Sequence, residues 1–434
     1  MTPEFVSIAL LFVGFFALLA YGVPVAYAIG ISTTATMLLN IDALPAVATV
    51  AQRMTTGIDS FALLAIPFFV LAGELMNRAG IAGRLIDFAK SAVGALPGGL
   101  AYVNVVSAML FGAISGSAVA AASAIGSVMT DRMEAEGYPR PFSAAVNITS
   151  STTGLLIPPS NVLIVYALAS GGAASVAALF VAGYVPGVLI GLALIAVAAF
   201  TAKRRGFPPG ERVPLARVVR DFGRAGLSLL MLVVIVGGIV AGVFTATEAA
   251  AVAIAYALAL GFGYRTLRVG DLPGVLLASA RTTAVVMFLI ATSMAMSWLF
   301  SFESVPQLMT GFLLDTVSAP VLIFLAINLT LLVVGTFMDI TPAVLIFTPI
   351  FLPVVTSLGM DPVHFGIVMV LNLCIGLCTP PVGTILFVGA GVARVGVAEV
   401  IRPLLPLLLA MVAVLALITF WPALSLWLPG LFGL

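Results

Sequence analysis

Two pairs of consecutive prolines, Pro158-Pro159 and Pro380-Pro381, lie inside long apolar segments of the chain. Proline lacks a backbone N–H and its ring clashes with the preceding turn, so each pair should break the helix that contains it. A broken helix exposes carbonyl oxygens at one end, which attract cations, and N–H groups at the other end, which attract anions. The two pairs therefore predict two places where Na⁺ and a carboxylate could be bound.

Small and polar residues also interrupt two other apolar stretches, 99–131 and 321–358. Each stretch is too long for one membrane crossing and too short for two crossings with a loop. This pattern predicts re-entrant hairpins, which are tolerated only where they line a cavity or are buried in protein. Uncharged polar side chains near the hairpin tips and the helix breaks are the candidate substrate ligands: Ser117, Ser151, Thr152, Asn161, Thr341 and Thr384. Any single hydroxyl among them could instead serve helix packing.

Asp339 is the most unusual residue of the second hairpin, because a carboxylate is costly in a membrane region and indicates a functional site. Three roles remain open for it: capping the second helix of the hairpin, binding Na⁺, or carrying a proton. Sodium prefers oxygen ligands, which the hydroxyls and free carbonyls supply. Since the sequence shows no clustered His, Cys and carboxylate pattern for a transition metal, Na⁺ is the only metal expected.

The composition indicates how these motifs are carried. The 434 residues are 62% hydrophobic and 8% charged, whereas soluble domains carry about 25% charged residues. Long, continuous apolar runs favour membrane-spanning helices over strands, so an all-α polytopic membrane protein is expected. No basic patch with interleaved aromatic residues suggests nucleic-acid binding. The expected spans are 5–21, 24–40, 58–78, 141–168, 176–201, 225–244, 246–264, 282–300, 363–390 and 404–428.

Basic residues predict the orientation of these spans. The positive-inside rule assigns the loop 202–224 to the cytoplasm, because it holds Lys203, Arg204, Arg205, Arg212, Arg217, Arg220 and Arg224. Counting crossings from this loop places nine other basic residues on the same side: Arg78, Arg84, Lys90, Arg132, Arg140, Arg265, Arg268, Arg394 and Arg402. Arg53 is the exception. Both termini are then outside, and the first hairpin opens from the cytoplasm.

The two halves of the chain repeat. GLLIPPSNVLIVYA from Gly154 matches GLCTPPVGTILFVGA from Gly376. Each half should hold five crossings and one hairpin, and an odd number of crossings inverts the second copy, as in secondary transporters. The predicted units are a first repeat 1–201, with hairpin 99–131 and broken helix 141–168; a linker 202–224; and a second repeat 225–434, with hairpin 321–358 and broken helix 363–390.

Two further charged or titratable residues are expected to have structural roles. Glu248 begins a span and is expected as a first-turn residue that the helix dipole favours. His364, the only histidine, begins another span near Asp361 and is expected at the membrane interface. An intramembrane protease would need a Ser–His pair or two aspartates within the spans, and neither His364 nor Asp339 has such a partner. An enzyme is therefore not expected, and an ion channel is a remote alternative.

In these motifs the chain resembles the large membrane subunit of tripartite ATP-independent periplasmic (TRAP) transporters. The matching stretches span nearly the whole chain in order: IPFFVLAGELMNRAGIAGRLIDFA from Ile66, FGAISGSAVAAASAIG from Phe111, GLLIPPSNVLIVYA from Gly154, GVFTATEAAAVAIAYAL from Gly242, GTFMDITPAVLIFTPIFLPV from Gly335 and GLCTPPVGTILFVGAGVA from Gly376. The resemblance implies a bacterial inner-membrane location, a small four-helix membrane subunit as a separate chain, and a periplasmic substrate-binding protein.

The resemblance also implies an elevator mechanism, in which a scaffold holds a mobile transport domain of about 99–168 and 321–390. Sodium would bind at the hairpin tips and helix breaks, which here correspond to Ser115, Gly116, Ser117, Pro158, Gly335, Asp339, Thr379, Pro380 and Gly383. The expected function is sodium-coupled uptake of a small organic acid. A stand-alone anion:sodium symporter is the alternative.

Overall fold

A computed structural model describes residues 3–207, 214–316 and 319–434, and all regular structure in these ranges is helical. Its α-helices are α1 Pro3–Ala20, α2 Val25–Asn40, α3 Ala43–Ile58, α4 Ala65–Arg78, α5 Ile81–Val93, α6 Gly99–Ser115, α7 Ala118–Ala135, α8 Arg140–Ser151, α9 Asn161–Ala169, α10 Val176–Arg205, α11 Leu215–Val240, α12 Ala246–Gly263, α13 Leu272–Phe302, α14 Val305–Thr316, α15 Pro320–Phe337, α16 Ile340–Ser357, α17 Pro362–Cys378, α18 Thr384–Ala393, α19 Val397–Phe420 and α20 Ala423–Leu431.

Eight helical segments in the described ranges are long and apolar enough to cross a membrane, and five shorter apolar helices accompany them. The expectation of an all-α polytopic membrane protein is therefore confirmed. Helices α3 and α5 were not predicted, because they bury one face only and so lack a continuous apolar run. In α5, for example, Ile81, Leu85 and Ile86 are buried, whereas Arg84 and Asp87 are not.

Part of the predicted linker 202–224 is helical. Helix α10 extends to Arg205 and α11 begins at Leu215, so Arg217, Arg220 and Arg224 lie on a helix. Long helices project beyond the bilayer core, and their polar ends cannot be recognised from apolar runs. Arg212 lies outside the described residues.

The backbone leaves helical geometry at all four predicted interruptions. Helix α6 ends at Ser115 before α7 begins, and α15 ends at Phe337 before α16 begins. After α8, a single turn of 3₁₀-helix covers Thr152–Leu155, and α9 begins only at Asn161. Helix α17 ends at Cys378, and α18 begins at Thr384. Both proline pairs therefore lie in non-helical backbone, as the missing donors of proline require.

Paired glycines bring each tip against the neighbouring break. Gly112 of α6 lies against Gly154, and a Cβ added to Gly154 would collide with the backbone of Gly112. Gly335 of α15 lies against Gly376 of α17 in the same way, and a Cβ on Gly335 would lie 3.2 Å from the Cα of Gly376. Close approach of two helices at this distance requires that neither residue has a side chain.

The structure confirms the role predicted for Glu248 but not the position predicted for His364. The Glu248 carboxylate accepts hydrogen bonds from the Thr245 N–H (2.8 Å) and hydroxyl (2.9 Å) in a capping box, which confirms its first-turn role. His364, expected at the membrane interface, is instead buried inside the protein. Its Nδ1 lies 2.5 Å from the Ser425 hydroxyl, and its Nε2 lies 3.4 Å from the Thr419 carbonyl. Its position at a helix start gave no signal that α19 and α20 cover it.

The substitution Gly154→Ala should destabilise the protein, because the new methyl group would force the first tip and first break apart. Overpacking of this kind costs about 1–3 kcal/mol. The matched control is Gly237→Ala in α11, where an added Cβ meets no atom within 4 Å and alanine improves helix propensity by about 1 kcal/mol. Thermal unfolding in detergent should show a lower melting temperature for G154A only. Equal melting temperatures for the two variants would contradict a tight contact at Gly154.

Candidate functional site

A cavity of about 540 Å³ lies where both hairpin tips meet the start of α9 and α18. This volume is within the usual range for small-ligand sites, about 300–1,000 Å³. Seven of the residues predicted from the sequence line it: Ser115, Gly116, Ser117, Asn161, Asp339, Thr341 and Thr384. The structure therefore brings together residues that are up to 269 positions apart, from Ser115 to Thr384.

The first tip is a tight turn around Gly116. Its φ of +61° is a left-handed conformation that glycine adopts without strain, and an added Cβ would lie 3.4 Å from the Asn161 amide nitrogen. The Ser117 side chain caps α7 by accepting a hydrogen bond from the Ala120 N–H at 3.2 Å. The Ser115 hydroxyl donates weakly to the Ser117 carbonyl at 3.4 Å. Both hydroxyl oxygens keep spare acceptor capacity for a ligand.

At the first break, neighbouring polar residues have different roles. The Ser160 hydroxyl donates to the Leu155 carbonyl at 2.5 Å and accepts from the Leu163 N–H at 3.4 Å, so it caps α9. The Asn161 amide lines the cavity and has no hydrogen-bond partner within the described ranges. Since polar groups near the core are normally satisfied, Asn161 is the side chain at this break that is available to a ligand.

At the second tip, Asp339 caps α16. Its Oδ1 accepts a hydrogen bond from the Ile340 N–H at 2.7 Å, and its backbone is extended as a cap requires. The same side chain lines the cavity. Capping is thus one observed role of Asp339, and it is compatible with contact between the carboxylate and a bound ion.

The second break contacts the second tip through the backbone. The Gly383 N–H donates to the Thr336 carbonyl at 3.0 Å. The Thr379 hydroxyl donates to the Ile375 carbonyl, one turn earlier, at 2.7 Å. The other predicted sodium ligands also lie at the tips and breaks beside the cavity and not in its wall: Pro158, Gly335 and Pro380.

Two predicted substrate ligands lie elsewhere. Ser151 and Thr152 are fully buried, and their hydroxyls donate to the carbonyls of Asn147 (2.6 Å) and Thr149 (2.8 Å) within α8. Hydroxyls commonly bond the carbonyl three or four residues earlier in a helix. The structure therefore places these two residues in helix packing, away from the cavity wall.

Sequence reasoning missed polar residues that neighbouring helices contribute to the wall: Glu74 and Asn77 of α4, Ser123 of α7 and Thr282 of α13. Glu74 and Asn77 are three residues apart, so they share one face of α4 with Gly73. An added Cβ on Gly73 would lie 2.8 Å from the Ser115 carbonyl oxygen, which brings α4 close to the first tip. This polar i, i+3 pair in an apolar helix was the signal available in the sequence.

Four helices begin at the cavity. The first residues of α7, α9, α16 and α18 all line it: Ala118, Asn161, Ile340 and Thr384. The first N–H groups of a helix lack partners within it, and each N-terminus carries roughly half a positive charge. No Lys or Arg of the described ranges lines the cavity. The four N-termini therefore contribute positive partial charge to the cavity, beside the carboxylates of Glu74 and Asp339 that also line it.

Comparison with known proteins gives a matching family model, sequence relatives and a solved structure of similar fold. The family model for the DctM component of tripartite ATP-independent periplasmic transporters matches residues 12–424. YgiK of Salmonella typhimurium is 53% identical over 98% of each chain. The C4-dicarboxylate TRAP transporter large permease protein DctM of Rhodobacter capsulatus is 39% identical over 96% of this chain and 98% of its own. The crystal structure of the Alcanivorax borkumensis YdaH transporter superposes with a TM-score of 0.65 at 16% identity, covering 90% and 91% of the two chains.

Cysteine labelling tests the accessibility of the cavity. In Asn161→Cys the new thiol should react with a maleimide applied from the cytoplasmic side, because the cavity reaches Asn77 and Thr282, which adjoin the basic residues Arg78 and Arg281. The matched control is Ser160→Cys, whose position is fully buried. Labelling at position 161 should be faster by roughly tenfold, since thiol reactivity depends on exposure.

The native Cys374 and Cys378 are both buried and provide an internal background. Equal labelling of the two variants, or protection of N161C from the cytoplasmic side, would contradict a cavity open to that side.

Proposed function

The chain belongs to the DctM-component family of tripartite ATP-independent periplasmic transporters, and from this we propose that it carries a small organic acid into the cell by sodium-coupled transport. It is a multi-pass transport protein and not an enzyme, consistent with a bacterial inner membrane. The observation that carries the proposal is the meeting of four helix N-termini at one cavity whose wall holds no Lys or Arg of the described residues. A carboxylate can accept several backbone N–H bonds at such a site.

The polar side chains of the cavity would orient the acid. Asn161, Thr341 and Thr384 provide neutral donors and acceptors for hydroxyl or carbonyl groups. Glu74 on α4 would disfavour close approach of a second anion to that wall. The Rhodobacter capsulatus relative is a C4-dicarboxylate permease, which supports a carboxylate as the substrate class.

Sodium would bind beside the acid, where the tips meet the breaks. The helices that end there, α6, α8, α15 and α17, direct their C-terminal carbonyls towards these junctions, and such ends favour cations. The proposed sodium ligands at the first junction are Ser115, Gly116, Ser117 and Pro158. Those at the second junction are Gly335, Asp339, Thr379, Pro380 and Gly383.

The membrane potential sets the number of sodium ions. Moving one charge across the membrane changes its energy by about 2.3 kcal/mol per 100 mV. A monoanion that enters a negative-inside cell works against this amount, and one Na⁺ only cancels it. Uptake driven by the potential therefore requires at least two Na⁺ per monoanion, which fits two junctions. A dianion would require at least three.

Contacts between the two halves support a transport domain that moves as one body. The Arg140 guanidinium donates to the Ala393 carbonyl at 3.1 Å, and the Tyr166 hydroxyl donates to the Pro362 carbonyl at 2.7 Å. The thiols of Cys374 and Cys378 donate to carbonyls of the first break region at 3.6 and 3.5 Å. Each bond joins an element of the first half to one of the second, so the tips and breaks would move together.

The opposite wall of the cavity would belong to the scaffold. Gly73, Glu74 and Asn77 of α4 and Thr282 of α13 form this wall. Helix α4 packs against α12 and α13, and α13 also packs against α2 and α3. Sliding of the mobile body past α4 would expose the cavity to each side of the membrane in turn. Inverted repeats, which we propose for the two halves of the chain, are typical of transporters that work in this way.

The proposed partners are a periplasmic binding protein that delivers the acid and a small four-helix membrane subunit that supports the scaffold. The alternative is a stand-alone anion:sodium symporter. Uptake by proteoliposomes with and without the binding protein separates the two, because a symporter would transport free substrate equally well in both.

The substitution Thr379→Ala should weaken sodium dependence more than stability, because it removes an oxygen beside the second junction. In proteoliposomes that contain the small subunit and a substrate-loaded binding protein, the sodium concentration for half-maximal uptake should rise by about tenfold, or about 1.4 kcal/mol. Ser117→Ala should act similarly at the first junction.

The matched control is Thr330→Ala in α15. The Thr330 hydroxyl makes the same bond to the carbonyl one turn earlier, at 2.9 Å, but it is exposed and does not line the cavity. The substitution Thr330→Ala should leave the sodium dependence of uptake unchanged. Sodium-independent uptake by the unmodified protein in sealed liposomes would refute the proposed coupling.

A further inference from the structure

A second large cavity, of about 710 Å³, lies at the cytoplasmic end of α10 and α19. We call it the arginine cleft, because three guanidinium groups line it: Arg204 and Arg205 at the end of α10, and Arg402 near the start of α19. The remaining wall is mostly apolar and comprises Phe142, Ala196, Val197, Phe200, Thr201, Pro403 and Pro406.

Within the described ranges, no acidic side chain compensates the charge of the arginine cleft. No Asp or Glu of the described ranges lines it, and none of its three arginines forms an ion pair there. Other cytoplasmic arginines do have carboxylate partners, as Arg132 has Asp87 and Arg140 has Glu134. Three like charges around one cavity repel each other, so an anion in the cleft would be stabilised.

The position of the cleft along the helices indicates which anion. Helix α10 has 30 residues and is therefore about 45 Å long, whereas the hydrocarbon core is only about 30 Å thick. Arg204 and Arg205, at its cytoplasmic end, thus lie at the level of the lipid headgroups.

The helix faces below the arginines are apolar and uncovered. Phe200 and Leu409 are each 68% exposed, and Leu192 is 56% exposed. Residues 192, 196 and 200 follow one face of α10, and residues 402, 406 and 409 follow one face of α19. The two stripes lead from the arginines towards the centre of the membrane.

We propose that the arginine cleft binds the phosphate headgroup of an anionic phospholipid of the cytoplasmic leaflet, with the acyl chains along Leu192, Phe200 and Leu409. A guanidinium group matches phosphate with two parallel hydrogen bonds, which favours arginine at such sites. Basic pockets between membrane helices on the cytoplasmic side suit acidic headgroups. A small soluble phosphate would use only the charged rim, and the apolar stripes would then have no function in binding.

The cleft belongs to the elements that surround the two breaks. Helix α10 packs against α17 and α19, and α19 packs against α8 and α17. A bound lipid would therefore contact the same body as the substrate cavity. The proposal concerns lipid binding and does not depend on the substrate or on sodium.

Native mass spectrometry of the purified chain tests the proposal. With phosphatidylglycerol added, the unmodified protein should retain the lipid, and the cleft variant R204Q/R205Q/R402Q should retain about tenfold less. The matched control is K203Q/R217Q/R268Q, which removes three cytoplasmic positive charges outside the cleft lining and should bind like the unmodified protein. Thermal unfolding of both variants verifies that they are folded.

Two further binding measurements distinguish the possible ligands. Phosphatidylcholine should be retained weakly and equally by all three proteins, and inorganic phosphate should not displace phosphatidylglycerol. Equal retention of phosphatidylglycerol by the cleft variant, displacement by inorganic phosphate, or displacement by the small membrane subunit would each overturn the proposal.

Discussion

The structure depends on backbone that packs against backbone at two junctions inside an apolar protein. At each junction a glycine of a tip lies against a glycine of a break: Gly112 on Gly154, and Gly335 on Gly376. Because no side chain separates them, the chain can leave helical geometry there and still be enclosed by protein, which is the condition for irregular backbone at membrane depth. The same contacts bring four helix N-termini to one cavity and leave four helix C-termini at its edge.

Under the proposed function, this arrangement would use the main chain to bind both the anion and the cation. The walls of the cavity contribute neutral amides and hydroxyls and, within the described ranges, two carboxylates: Glu74 on α4 and Asp339 at the second tip. Basic side chains of the described ranges are concentrated instead at the cytoplasmic helix ends. The positive-inside rule predicts that they orient the protein in the membrane, and we propose that those of the arginine cleft contact lipid headgroups.

Much of this could be predicted from the sequence because proline and glycine restrict the backbone directly. The breaks follow from Pro158-Pro159 and Pro380-Pro381, and the tips follow from polar interruptions of apolar runs. The roles of individual side chains were harder to predict from the sequence. Ser151 and Asn161 both flank the first break, yet only Asn161 reaches the cavity, because the direction of a side chain depends on helix phase and on the local 3₁₀ turn. Helices α3 and α5 are amphipathic, so a search for continuous apolar runs misses them although their buried residues recur with a helical period. The burial of His364 depends on tertiary contacts that no local pattern encodes.

The most direct test of the central claim is an experimental structure of the protein with a bound organic acid. We expect the carboxylate oxygens to lie within hydrogen-bond distance of backbone N–H groups at the starts of α7, α9, α16 or α18, with no lysine or arginine in contact. A carboxylate held by a basic side chain, or an acid bound away from these helix starts, would contradict this expectation.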